Sequence, residues 1–433
     1  MQKNFILFIQ LFSLACFLLL STACSFKERE LDDDDETATS TEISIIRIDN
    51  TTEELKFHDP LELDNIGKNP LAFVIKDINH DQLDDIILLN TATKQEEQTI
   101  RILIRTSVNS SDNPEDFFET GRTIITNTDR PQYLLVEDVN EDGVQDLLTI
   151  STETDSLSVW EGQITNNKFL LAATPEDIDV GDFPVFMTAA PFASEGKMGV
   201  AIANRGDDDI SIVLDFNSLE KISLDYDQGV GKNPIQVASG DWNNDGCVDL
   251  AVLSRNKNRV DFFENTPCSD PDTPQNKVFQ KIRDYKVGEL PQALIAGDWD
   301  NDGNMDVATT NQTDEDISLL YGHGDGSFER KDIKVGQGPG QLSSGDLNQD
   351  GVQDFVIGDV ADQDLVILLS NGDGKRPGEN GQKAYSRGDI VAGSIPSGNR
   401  PGYIQVIDIN HDEKQDIVLT LPFENKLAIL LQK

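Results

Sequence analysis

Short apolar stretches with a period of two recur along the chain, and each is opened by a proline. The prolines are Pro70, Pro131, Pro234, Pro291, Pro339 and Pro401, followed by pairs such as Phe73 and Ile75, Leu134 and Val136, Leu294 and Ala296, or Ile404 and Val406. Alternation of this kind predicts a β-strand. A proline is tolerated at a strand's first residue because the ladder has not yet begun to need its missing N–H. Some fifteen residues later a second apolar run follows each copy: Ile86–Leu89, Leu147–Ile150, Leu250–Leu253, Val307–Thr310, Phe355–Gly358 and Ile417–Leu421. A polar turn and a third run come next, as in Ile317–Tyr321 and Leu365–Leu369, and glycine turns such as Gly322–Gly326 lead to a weaker fourth.

Between the first and second strands stands a nine-residue loop whose positions 1, 3, 5 and 9 all carry oxygen. Six copies fit: Asp77, Asn79, Asp81, Asp85; Asp138, Asn140, Asp142, Asp146; Asp241, Asn243, Asp245, Asp249; Asp298, Asp300, Asp302, Asp306; Asp346, Asn348, Asp350, Asp354; and Asp408, Asn410, Asp412, Asp416. Calcium takes six to eight oxygens at about 2.3–2.6 Å, and an EF-hand loop supplies them at alternate positions before a bidentate twelfth. Here the spacing follows the first half of that loop, and an aspartate at position 9 replaces the twelfth-position glutamate. A β-rich run begins straight after it, so the loop joins strands rather than helices. Position 6 is glycine in four copies, where the turn needs positive φ. Gln82 and Glu413 stand there in the first and last copies. A side chain in that conformation costs about 1 kcal/mol, so these two sites are expected to be weaker.

The gap between the second and third copies is nearly two units, and the same register finds a seventh copy in it. Pro184 opens Val185–Ala190, and Val200–Asn204 follows, but the loop between retains only Glu195 and Gly196. That copy is expected to hold no metal. Loop starts at 77, 138, 191, 241, 298, 346 and 408 define units of 48 to 62 residues, each three or four strands long. The fold class this implies is all-β: a seven-bladed β-propeller over 43–433 with calcium-binding loops between the first and second strands of six blades. A linear β-solenoid would use much shorter turns. After Gln415 only two strands fit, so the last blade must borrow its outer strand from residues 43–64, which closes the ring and protects its edges.

Composition adds a constraint on partners. There are 35 Lys and Arg against 78 Asp and Glu, a formal charge of −43. Such a surface repels nucleic acid and anionic lipid headgroups. Positions 1, 5 and 9 of the six loops hold a sizeable part of that acidity, which ties it to metal loading.

The first 23 residues read as a secretory signal: Lys3, an apolar run from Phe5 to Leu20, then Ser21-Thr22-Ala23 before Cys24. Ala23-Cys24 is similar to a bacterial lipobox, with Ser21 where leucine or valine is usual, which makes Cys24 the expected lipidated residue. Residues 24–42, with Asp32-Asp33-Asp34-Asp35-Glu36, are expected to be a disordered acidic tether. The expected location is across the inner membrane, on the outer membrane or cell surface, with membrane contact through the N-terminal lipid alone. Cys247 and Cys268 fall in two loops at the same end of one blade, so an oxidising compartment would allow a disulfide between them.

Taken together, a proline, a short strand, Gly-Asp-x-Asn/Asp-x-Asp-Gly-x-x-Asp and an apolar triplet resemble the FG-GAP/VCBS repeat family of β-propellers. The closest copies are Gly240–Val252, Gly297–Ala308 and Gly345–Val356. The resemblance covers about 43–433 and implies one calcium per matching loop, up to six. It says little about function, since the family includes adhesion heads, lectin-like modules and propellers attached to enzymes. His80 and His411 sit at loop position 4, expected to point into solvent, and no nucleophile elbow, Walker loop or His-Glu-x-x-His occurs. The expectation is therefore a non-enzymatic, monomeric binding or adhesion scaffold for a protein or glycan ligand. The alternatives are a carbohydrate hydrolase or lyase at the central channel, lined by Tyr133, Gln236, Gln341, Tyr403 and Gln405, and an envelope assembly scaffold.

Overall fold

Seven four-stranded antiparallel sheets follow one another along the chain. The computed structural model describes residues 43–45, 55–58, 60–92, 98–106, 118–125, 130–165, 168–192, 196–216, 220–224, 230–266, 279–361, 364–370, 385–390 and 400–433. All of them belong to one compact unit, Glu42–Lys433. The region expected to be a signal and tether, with Cys24, lies outside the described residues.

Blade 1 is Pro70–Lys76, Asp85–Asn90, Thr99–Arg105 and Phe118–Ile125. Blade 2 is Pro131–Glu137, Asp146–Ser151, Ser156–Trp160 and Glu176–Asp179. Blade 3 is Pro184–Ala190, Gly199–Asn204, Asp209–Asp215 and Glu220–Leu224. Blade 4 is Pro234–Gly240, Asp249–Ser254, Arg259–Asn265 and Phe279–Lys286. Blade 5 is Pro291–Gly297, Asp306–Asn311, Asp316–Gly322 and Phe328–Lys334. Blade 6 is Pro339–Gly345, Asp354–Asp359, Asp364–Ser370 and Tyr385–Ile390. In blade 7, Ile404–Ile407, Asp416–Leu421 and Lys426–Leu430 are completed by Leu61–Leu63 from the other end of the chain. The expected ring closure is therefore present, and a Lys426–Glu62 ion pair reinforces it.

The second strand of every blade is buried at all its residues, for example Asp249–Ser254 and Asp416–Leu421. It sits in mid-sheet with a neighbouring blade against each face, so it has no polar side to present. The fourth strand of blade 5, Phe328–Lys334, has only its first residue buried, because it lies at the outer edge and meets solvent. The core therefore lies between blades. One cluster joins Leu89 and Ile100 of blade 1 with Leu134 and Leu148 of blade 2 and Met187 and Val200 of blade 3. First strands of successive blades touch around the axis, which makes them the innermost.

Each opening proline is followed at once by a bulge against the second strand in blades 1 to 6. The residue before it is left-handed: Asn69, Arg130, Phe183, Asn233 and Leu290 have φ between 49° and 60°. Residues before proline normally favour extended backbone, and Phe or Leu at positive φ is strained. Hydrogen bonds on both sides hold them. The Phe183 N–H donates to Asp155 Oδ1 of the preceding blade at 2.8 Å, and its carbonyl accepts from Arg205 N at 3.0 Å. Leu290 is held likewise by Asn258 at 3.2 Å and Gln312 at 3.1 Å.

Two features were not expected. Blade 2 carries an extra hairpin, Gly162–Thr165 with Lys168–Leu171, between its third and fourth strands. Ile43–Ile45 pairs with Leu55–Phe57 to form a separate two-stranded sheet, and Phe57 bridges to Gln432. Among the described residues no helix is long and apolar enough to cross a membrane.

Candidate metal centres

The nine-residue loops all emerge at one end of the wheel, where the first strand of each of six blades turns into the second. In blade 5, Asp302 N donates to Asp298 Oδ1 at 3.2 Å and to Asp300 Oδ1 at 3.3 Å. Gly303 N donates to Asp298 Oδ2 at 3.0 Å, and Asn304 N to Asp302 Oδ1 at 2.8 Å. These side chains bend back over their own loop and coil it. The same bonds recur at Asp77, Asn79 and Asp81 and at Asp138, Asn140 and Asp142. They recur again at Asp241, Asn243 and Asp245, at Asp346, Asn348 and Asp350 and at Asp408, Asn410 and Asp412.

Position 9 does something the spacing alone did not reveal. Asp306 has no exposed surface; its Oδ2 accepts from Trp299 N at 3.0 Å and its Oδ1 from Gly322 N at 2.7 Å. One carboxylate thus ties the loop's start to the residue ending the third strand. Asp85, Asp146, Asp249, Asp354 and Asp416 make the corresponding pair of bonds. Burial pushes Asp85, Asp249, Asp306, Asp354 and Asp416 up to about 7 and Asp146 to about 6. The two backbone donors pull each one down, and the other loop aspartates push it up further.

Asp298, Asp300 and Asp306 bring ligand oxygens within 4.8 Å of one another. Blade 5 alone has a fourth carboxylate, at position 3, where the other loops carry asparagine. The donor set is hard oxygen throughout, which suits calcium or another hard cation rather than a soft metal. A buried position-9 carboxyl whose pKa the neighbouring loop aspartates push up further also describes a site short of positive charge. The residues therefore fit the metal that the resemblance implies.

Position 6 is left-handed in all six loops, at Gly143, Gly246, Gly303 and Gly351 and also at Gln82 (φ 70°) and Glu413 (φ 71°). Position 4 is left-handed too, which was not foreseen, and in four of the loops it reaches the next blade. Asn244 Nδ2 donates to Asn304 at 2.8 Å, Asn301 Nδ2 to the Gly351 carbonyl at 2.9 Å, and Gln349 Nε2 to the Glu413 carbonyl at 2.8 Å. His411 Nε2 lies 3.5 Å from Asp84 of blade 1, so it does not simply point into solvent as expected. Lys76 continues the series by pairing with Glu137 at 2.9 Å. On the proline side, Asn425, Gln98, Asp155, Asp208 and Asn258 each accept from the residue before the next blade's proline.

Trp242 and Trp299, at position 2, are buried in blade packing. The indoles fold back over the preceding glycines: a Cβ on Gly240 would stand 2.7 Å from the Trp242 ring. Cys247 is in a disulfide, and its expected partner Cys268 lies outside the described residues.

The axis gives no catalytic constellation among the residues proposed to line it. Tyr133 and Tyr403 hydroxyls bond each other at 2.9 Å across blade 1, whose equivalent residue is Ala72. Phe186 packs on Tyr133 at 4.2 Å and Phe73 on Tyr403 at 5.3 Å. Burial raises both phenols' pKa values. Gln236 is buried and accepts from Leu294 N of the next blade, whereas Gln341 and Gln405 remain half-buried.

Residues 298–357 match the family model described as an FG-GAP-like repeat. No curated protein matches the chain in sequence. Among solved structures, BBS1N in complex with ARL6DN, soaked with lead, has 10% identity and a TM-score of 0.54 over 87% of this chain and 96% of that one. A mercury-soaked crystal of the same complex gives 9% identity and 0.55 over the same shares. A protein from Lactobacillus plantarum gives 9% and 0.53 over 81% of this chain and 97% of that one. Such likeness speaks for the fold alone. The matched stretch runs from the loop of blade 5 into the second strand of blade 6, and its hydrogen-bonded loop stands in six blades of the wheel: the chain is a seven-bladed β-propeller that carries an FG-GAP-like repeat.

Proposed function

We propose that this propeller is a calcium-stabilised, envelope-anchored scaffold that binds protein or glycan ligands and has no catalytic site of its own. The observation that carries the calcium part is the position-9 aspartate. Six copies are wholly buried beside further carboxyl groups, an arrangement that a bound cation would relieve. At calcium near 1 mM and a Kd near 0.1 mM, each site would add roughly 1.4 kcal/mol by linkage, or about 8 kcal/mol for six. That approaches the whole stability of a typical domain. The scaffold part draws support from an axis where the tyrosines bond to each other rather than to a titratable base. Anchoring through Cys24, secretion and surface display follow from the sequence pattern of residues 1–42.

The test is a pair of measurements on the purified chain. Thermal melts with calcium and with chelator are expected to differ by more than 10 °C, and calcium titration should count up to six sites. A melt indifferent to chelator would refute the calcium reading. Mass spectrometry of the N-terminus from the native envelope should show a diacylglyceryl-modified Cys24; an unmodified N-terminus would refute anchoring.

A further inference from the structure

Four of the aspartate loops hand a side chain to the loop that follows them around the wheel. Asn244, Asn301, Gln349 and His411 stand at position 4 of blades 4 to 7, with φ between 54° and 59°. Asn244 Nδ2 donates to Asn304 Oδ1, at position 7 of blade 5, at 2.8 Å. Asn301 Nδ2 donates to the carbonyl of Gly351, at position 6 of blade 6, at 2.9 Å. Gln349 Nε2 donates to the carbonyl of Glu413, at position 6 of blade 7, at 2.8 Å. His411 Nε2 lies 3.5 Å from Asp84, at position 8 of blade 1.

The receiving end is always the stretch between the ligand positions 5 and 9. In blades 6 and 7 the bond falls on one peptide group that serves two loops. Its carbonyl accepts from the preceding blade. Its N–H, that of Val352 or Lys414, donates at 2.9 Å to the position-5 carboxylate, Asp350 or Asp412. In blade 5 Asn304 does both, since its side chain accepts from Asn244 while its N–H donates to Asp302 Oδ1 at 2.8 Å. Hydrogen bonds that pass through one peptide group polarise and strengthen each other. The carbonyl at position 7 is also the backbone ligand that an EF-hand loop offers its ion.

The giving end depends on the coil of its own loop. In blade 5, Asp302 N and Gly303 N turn in to Asp298 on either side of the link that Asn301 begins. Loading a loop favours that coil, because carboxylates held close repel until their charge is met. The loaded coil then fixes the side chain that grips the next loop. Ordering one loop thus supplies part of the order that its neighbour needs for binding.

We propose that calcium binding is coupled along this series, each loaded loop favouring the loading of the next through its position-4 side chain. The inference rests on the calcium reading and adds regulation to those sites, which fill together rather than one by one. One hydrogen bond per joint sets the size, about two- to fivefold in affinity, and linkage makes it equal in both directions.

Hydrogen exchange followed by mass spectrometry on the full chain, across a calcium titration, reads a midpoint for each loop from its own peptide. Asn301→Gly keeps the left-handed backbone and every carboxylate of its loop but removes the donor. It should raise the calcium midpoint of the blade 6 loop about two- to fivefold. In a background of Asp298→Ala, which takes a ligand from the blade 5 loop, Asn301→Gly should have no further effect on blade 6. Glu141→Gly makes the same change at position 4 of blade 2. It should leave the other loops unmoved, because blade 3, which comes next, has no aspartate loop. A blade 6 midpoint indifferent to Asn301→Gly would overturn the coupling. So would an equal shift in both backgrounds, which would make Asn301 a plain brace. Either result leaves the calcium reading intact, whereas loops that calcium does not protect at all would overturn both.

Discussion

Replacing Asp306 with asparagine separates the two tasks assigned to position 9. In the folded chain this carboxyl has no solvent exposure and accepts two backbone N–H groups, from Trp299 and Gly322. Asparagine keeps one acceptor oxygen and turns an NH2 group towards the second donor. Leaving a buried donor unsatisfied costs roughly 1–3 kcal/mol. In chelator at about pH 4, Asp306→Asn should therefore be less stable than wild type by about 2 kcal/mol. The gap should then change with pH in a defined direction. Burial raises the folded pKa to about 7 from 3.8, so the wild-type contribution is complete below about 4 and is lost as pH rises through 7. The variant has no such group to lose. The difference should fall by about 1 kcal/mol per pH unit across that window, so that it vanishes near pH 6 and the variant is the more stable by pH 7. Calcium in excess at neutral pH should restore the wild type's advantage, because the cation favours the ionised carboxylate that asparagine lacks. Urea unfolding followed by the fluorescence of the buried Trp160, Trp242 and Trp299 reads all three conditions. A gap that ignores pH in chelator would refute the buried-charge argument. A gap near zero at pH 4 would refute the clamp, and one that ignores calcium would refute the metal site.

Three further outcomes follow from the same geometry. Metal-free protein should lose melting temperature as pH rises from about 5 to about 8, since all six position-9 aspartates have raised pKa values, and calcium should cancel the trend in parallel melts. Gln82→Gly and Glu413→Gly each remove a side chain from positive φ and should stabilise by about 0.5–1 kcal/mol in urea unfolding, with tighter calcium binding at those loops. Phe57→Ala empties a fully buried ring position beside Leu430 and should cost about 3–5 kcal/mol, measured the same way; a loss below about 1 kcal/mol would show that the N-terminal segment is not needed to close the wheel.

The periodic parts of this fold were legible because each blade solves the same burial problem with the same residues. Prolines, apolar runs and loop aspartates located first strands, second strands and loops, including blade 3, whose turn lacks the aspartates. The short strand Leu61–Leu63 was foreseen only as a necessity, since blade 7 otherwise ran out of chain. The blade 2 hairpin was invisible because an insertion breaks the register that made the other elements readable. Left-handed backbone at Phe183 and Leu290 was equally hidden, as the local preference of a residue before proline points the other way and only contacts with the preceding blade reverse it. Position 9 looked like a plain ligand; its bonds to Trp299 and Gly322 depend on a strand that ends sixteen residues away. Position 4 looked idle because its partners, such as Asp84 for His411, belong to a different blade.

The blade-to-blade bonds at the two ends of the wheel resemble a cask bound by two hoops. At the rim bearing the aspartate loops they cross the joints 4–5, 5–6, 6–7, 7–1 and 1–2. At the opposite rim they cross 7–1, 1–2, 2–3, 3–4 and 4–5. Taken together, the two hoops put at least one such bond across every joint, so every stave is gripped on both sides. Blade 3, whose turn lacks the aspartates, has both of its joints strapped at the far rim, which does not draw on the aspartate loops.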